Sequence, residues 1–213
     1  MTRVKICGIT RVEDAQLAIE LGASALGFNF YRGSPRYIEP TAAGEIIRQA
    51  VPPPIMAVGV FADESDVQRV LNVAREAGVS AIQLHGPRLP GHDRGFRWTY
   101  PLIWAVTVDE NFDPVSLRDL AQGQAGVIML DAFHPVLKGG TGETIDWASA
   151  REATRFARLI LAGGLTPENV GEAISQVQPF AVDVASGVEA APGVKDASKL
   201  RAFFNAVREA DEL

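Results

Sequence analysis

Cysteine occurs once in the 213 residues and histidine three times, and these scarcities exclude a good deal. Cys7 alone cannot close an internal disulfide. No C-x-x-C or H-E-x-x-H spacing links Cys7, His85, His92 and His134, so no metal site and no cofactor are expected, and the thiol suits a reducing cytoplasm. Basic charge is in deficit, with 20 Lys and Arg against 26 Asp and Glu and a formal net charge of -6, the opposite of a nucleic-acid footprint. No apolar run approaches the roughly 18 residues of a membrane span, and Met1 to Lys5 lead straight into a strand-like stretch, so neither a membrane partner nor a targeting segment is expected. What is present is globular in character. Hydrophobic residues make up 47% and charged residues 22%, against disorder, collagen or coiled coil, and the length fits one large domain, 1-213, better than two.

Eight short apolar runs recur between longer amphipathic segments: Val4 to Cys7, Ala25 to Phe30, Ile55 to Phe61, Ala81 to Leu84, Leu102 to Val106, Gly126 to Leu130, Arg158 to Leu161, and Ala181 to Val184. Their unbroken apolar character suits strands of a parallel sheet buried on both faces. Helix signals follow several of them. Thr10-Arg11-Val12-Glu13 reads as a capping box opening Val12 to Leu21, Asp63 as a cap for Ser65 to Ala77, and Thr166-Pro167 as a cap before a first-turn proline. Asp146 would cap the segment from Trp147, and Asp196 a final helix from Ser198 to Ala210, while Gly22 and Gly78 read as C-caps. Gly86 to Pro101 lacks helical periodicity and predicts a shortened or distorted fourth helix. Eight such units in this length give a compact α/β chain, a (β/α)8 TIM barrel, with a doubly wound open sheet as the alternative.

The unusual residues cluster just after strands, where a barrel of this kind builds its active face. Ala162-Gly163-Gly164-Leu165-Thr166 follows the seventh run and Ala185-Ser186-Gly187-Val188 the eighth, the two loops at which such barrels often bind phosphate through backbone N-H groups. Lys138-Gly139-Gly140-Thr141-Gly142 is long and glycine-rich enough for a lid. Cys7 ends the first run, at the rim, although a free cysteine taken alone reads more readily as inert packing. Asp131 closes Val-Ile-Met-Leu-Asp, where a carboxylate after four apolar residues needs pairing or a catalytic use. Asp183, inside the eighth run, reads as a structural hydrogen-bond acceptor. Arg36 lies on the loop after the second run. His85 closes the fourth, with packing and a site role equally open.

Taken together these segments resemble the phosphoribosylanthranilate isomerase family over essentially the whole chain. The resemblance rests on motifs in order: Val4-Lys5-Ile6-Cys7-Gly8-Ile9-Thr10, Gly27-Phe28 with Ser34-Pro35-Arg36-Tyr37-Ile38, Val58-Gly59-Val60-Phe61, Gln83-Leu84-His85-Gly86, and Leu130-Asp131. There follow Gly139-Gly140-Thr141-Gly142 with Asp146-Trp147, Ala162-Gly163-Gly164-Leu165-Thr166-Pro167-Glu168-Asn169-Val170, and Asp183 through Glu189 with Pro192-Gly193 and Lys195-Asp196. Ala185 departs from the family's usual small polar residue and Ile145 from its usual aromatic.

The resemblance implies a cofactor-independent Amadori rearrangement of N-(5-phosphoribosyl)anthranilate in tryptophan biosynthesis. Cys7 would be the general base, with its thiol pKa lowered by neighbouring donors or cations, and Asp131 the general acid. Arg36 would hold the anthranilate carboxylate, and Gly142, Gly163, Gly164, Ser186 and Gly187 the phosphate of the small phosphosugar, with His85 as a further substrate contact. Rival readings are another phosphosugar barrel enzyme or a non-catalytic phosphosugar sensor. The chain would act as a monomer or a homodimer.

Overall fold

The computed structural model describes residues 1–86, 98–109, 112–122, 126–132 and 147–212. Eight strands run in chain order: β1 (Arg3–Cys7), β2 (Ala25–Asn29), β3 (Met56–Ala62), β4 (Ala81–His85), β5 (Leu102–Val108), β6 (Val127–Ala132), β7 (Leu159–Leu161) and β8 (Ala181–Val184). Each pairs in parallel with its neighbour, and β8 closes on β1, with Lys5 beside Asp183 and Ile6 beside Val184. The sheet is therefore a closed barrel and not the doubly wound alternative.

Alternation along the strands sorts the core into two layers. Even-numbered residues of β1 and β4, such as Val4, Ile6, Ile82 and Leu84, point outward to a large core shared with the helices. Val58, Ala81, Ile103, Ala105, Met129, Ile160 and Ala181 fill the barrel itself. The interior becomes polar toward the C-terminal strand ends: Lys5, Gln83 and Asp183 are buried there, and Cys7, His85 and Asp131 continue the same inward-facing registers one step higher. This gradient places the candidate site at the strand C-termini.

The helices are α1 (Val12–Leu21), α2 (Pro40–Ala50), α3 (Val67–Ala77), α4 (Leu117–Gln122), α5 (Trp147–Ala153), α6 (Val170–Val177) and α7 (Ala197–Asp211). Their inward stripes follow the helical period, as with Val70, Ala74 and Ala77 on α3 and Leu200, Phe203, Phe204 and Val207 on α7. Burying a side chain such as Phe203 contributes about 2–3 kcal/mol. Gly22 and Gly78 end α1 and α3 in the left-handed region, and Asp196 caps α7 by accepting from Ser198 N and Lys199 N.

Two expected caps are different. Thr10 does not cap α1, because its hydroxyl donates to the carbonyl of Gly193, and Arg11 occupies the cap position without a side-chain bond. Asp66 caps α3 in place of Asp63, accepting from Gln68 N and Arg69 N, and Asp63 sits in a positive-φ turn instead. Thr166 caps the turn before α6, its Oγ1 accepting from Glu168 N and its carbonyl from Val170 N, although the helix itself starts at Val170, three residues beyond Pro167. Asp146 lies outside the described residues, as does most of Gly86 to Pro101.

Candidate active site

Cys7 is the last residue of β1 and is half-buried, at the rim of the barrel mouth as expected. Gly27 of β2 is its register partner. A Cβ at Gly27 would lie 2.9 Å from Cys7 Sγ and 3.1 Å from Lys5 Nζ, so the missing side chain leaves the space those two groups occupy. The expected lowering of the thiol pKa is not found. Burial pushes the Cys7 thiol up and the Asp183 carboxylate adds to this, and although the ammonium groups of Lys5 and Lys195 pull it down, they do not overcome the two together.

Asp131 is the penultimate residue of β6, half-buried, with its side chain in the inward register of Val127 and Met129. Around the closed ring β6 stands three strands from β1, so the carboxyl and the thiol approach the mouth from different sides. His85 ends β4. Gln83 Nε2 donates to His85 Nε2 at 2.6 Å and also meets Met129 Sδ at 3.3 Å. Burial, helped by the charge of Lys5, lowers the His85 pKa to about 4, so the ring is neutral near pH 7.

Arg36 is not a free surface guanidinium. Its stem lies across Gly8, where a Cβ would come 2.5 Å from Arg36 Cδ, and Nε and Nη2 donate to both carboxylate oxygens of Glu189 at 2.8–3.1 Å. One edge of the guanidinium fork, Nε with Nη2, is thus engaged. Glu189 begins a small hairpin, β9 (Glu189–Ala191) with β10 (Val194–Lys195), and also accepts from Lys195 Nζ at 2.9 Å. Burial works against its charge, but Arg36 and Lys195 together hold its carboxyl below the usual range. Lys195 Nζ further donates to the carbonyls of Cys7 and Ala185, tying the end of β1 to the loop after β8.

The two glycine loops meet. Gly163 and Gly164 both adopt positive φ, and Asn169 clamps their turn by donating from Nδ2 to Gly164 O and accepting from Thr166 N. Ser186–Val188 forms a single 3-10 turn, and a Cβ at Gly187 would fall 2.0 Å from Leu165 O. Contact between the loops therefore requires glycine at 187, a reason beyond access for an anion. Gly142 and the rest of the 133–146 loop lie outside the described residues. Among the described residues no cluster of His, Cys, Asp and Glu could hold a metal ion.

Lys5, Gln83, Glu189 and Lys195 went unmarked as site residues in the sequence. A signal for Lys5 was there, a charge in an apolar strand two residues before Cys7 and hence on the same face.

The sequence matches the N-(5'-phosphoribosyl)anthranilate isomerase family model over residues 4–206. The chain belongs to this family. It is 47% identical over 211 residues to the N-(5'-phosphoribosyl)anthranilate isomerase of Trichlorobacter lovleyi, covering 99% of this chain and all of the relative. The phosphoribosyl anthranilate isomerase structure from Thermotoga maritima is 42% identical and covers both chains completely with a TM-score of 0.87. A further phosphoribosyl anthranilate isomerase structure, in complex with reduced 1-(o-carboxyphenylamino)-1-deoxyribulose 5-phosphate, is 40% identical, covers 98% of this chain and all of its own, and has a TM-score of 0.83. This isomerase family and its barrel agree with the resemblance drawn from the motifs.

Proposed function

We propose that the whole chain, 1–213, works as one barrel domain that isomerises N-(5'-phosphoribosyl)anthranilate with Asp131 as general acid and Cys7 as general base. The observation that carries the reading is the placing of these two groups, from strands three apart, in one polar barrel mouth beside the paired glycine loops.

Asp131 protonates the furanose ring oxygen as the bond from that oxygen to C1 breaks, leaving a protonated Schiff base. The Cys7 thiolate removes the proton on C2, and the electron pair moves into a C1–C2 double bond as the iminium is neutralised, giving an enolamine. Tautomerisation moves the hydroxyl proton of C2 to C1 and yields the ketose, 1-(2-carboxyphenylamino)-1-deoxyribulose 5-phosphate. Acid and base then return to their starting forms by proton exchange. Arg36 offers the anthranilate carboxylate its Nη1–Nη2 edge while Glu189 fixes the other edge. Neutral His85 serves as an uncharged substrate contact. The phosphate is received by backbone N-H groups of Gly163, Gly164, Ser186 and Gly187, with Gly142 from the preceding loop. No cofactor enters the scheme. Use of a free thiol suits the reducing cytoplasm, and the assembly is a monomer or homodimer.

The test is a coupled assay that generates phosphoribosylanthranilate in situ and follows the decay of its fluorescence. The wild-type chain accelerates the decay, and Asp131→Asn, which keeps the shape but carries no acidic proton, lowers turnover about 100-fold or more. A wild-type rate in Asp131→Asn would overturn the acid assignment.

A further inference from the structure

One charged pair inside the barrel takes no part in the scheme above. Lys5 is 2% exposed, and its Nζ donates to Asp183 Oδ1 at 2.7 Å across the β1–β8 seam. Ion pairs this deeply buried are poor sources of stability, since apolar residues of similar size do as well or better. Their value lies in the charge they hold in place.

That charge stands beside the base. Lys5 and Cys7 share the inward face of β1, and Cys7 Sγ and Lys5 Nζ both lie over the bare Cα of Gly27, within about 6 Å of each other, the range in which an opposite charge favours an ionised form. We infer that Lys5, fixed by Asp183, is the positioning residue for Cys7, its ammonium stabilising the thiolate from within the barrel while Gly27 keeps the space open. The inference rests on the reading of Cys7 as the base and adds the group that makes the base available.

Among the described residues, the other charged and titratable groups near Cys7 also have partners of their own. Lys195 of β10 is bound to Glu189 and to the Cys7 carbonyl, and Arg36, on the loop after β2, is forked onto Glu189. Asp183 of β8 opposes the thiolate, but its effect on Cys7 is smaller than that of Lys5. His85 of β4 is uncharged near pH 7. Asp131 enters the mouth from β6.

Cys7 is the sole cysteine, so thiol chemistry reports on this one sulfur. The experiment measures the pH dependence of iodoacetamide alkylation, checked by ultraviolet thiolate absorbance, for the wild type, Lys5→Met and Lys5→Met/Asp183→Leu, with Cys7→Ser as the blank. Lys5→Met moves the midpoint up by about one pH unit or more and slows alkylation at neutral pH about tenfold. Should it misfold because Asp183 is left unpaired, the double variant, which leaves neither charge of the pair, carries the test. Its midpoint moves up too, by less, since an opposing carboxylate is lost as well. An unchanged midpoint in the folded variants overturns the role of Lys5, whatever their turnover. A raised midpoint alongside wild-type turnover in Cys7→Ser would instead overturn the reading of Cys7 as the base.

Discussion

His85 shows how one side chain can report on the state of the barrel mouth. In the unfolded chain it takes up a proton near pH 6.5, whereas burial and the charge of Lys5 delay protonation of the folded protein to about pH 4. Between those values the unfolded state binds more protons, so stability is full above the upper value and falls as pH drops toward the lower one. The loss from this group alone is about 2.5 kcal/mol at roughly pH 4.5. Urea unfolding at neutral and acid pH should show this increment in the wild type and its removal in His85→Gln, which stays uncharged throughout. Equal acid sensitivity in the two proteins would show that His85 is protonated without penalty. The same burial acts in the opposite direction on Cys7, where it disfavours the anion, and the two residues together mark the mouth as a dry place in which charge needs a local partner.

Among the elements, the loops after β7 and β8 are the most tightly interdependent. Asn169 holds the first, the 3-10 turn shapes the second, and Gly187 lets them touch. In Gly187→Ala the new methyl would meet a backbone carbonyl, which no side-chain rotation can relieve, so one loop must move. A reduced product analogue bearing the phosphate, at 100 times its dissociation constant, should stabilise the wild type by about 2.7 kcal/mol, or roughly 5–10 °C in Tm, and the same compound without phosphate by much less. Gly187→Ala should remove most of that difference while remaining folded, as read by thermal denaturation. Equal shifts for the two compounds with the wild type would contradict phosphate binding at these loops.

The molecule as a whole carries a net charge of -6, and at its mouth the cations Lys5, Lys195 and Arg36 gathered around Cys7 are paired with the carboxylates of Asp183 and Glu189, so charge there is held by local partners and not by an excess of one sign. The order of the strands is legible in the sequence because each is a contiguous apolar run, and Asp196 and the two C-cap glycines are legible because capping is local. Thr10 misleads because its best partner, Gly193, lies 183 residues away. The Lys5–Asp183 pair spans 178 residues and becomes visible only when β8 closes on β1. Cys7 is legible as a position but not as an acid, since its ionisation depends on burial that no local pattern records. The most direct test of the central claim is turnover of Cys7→Ser in the fluorescence assay, with binding of the reduced product analogue measured in parallel. A serine hydroxyl keeps the shape but is hardly ionised near pH 7, so turnover should fall far more than tenfold while the analogue still binds. Turnover at the wild-type rate would show that another group removes the C2 proton.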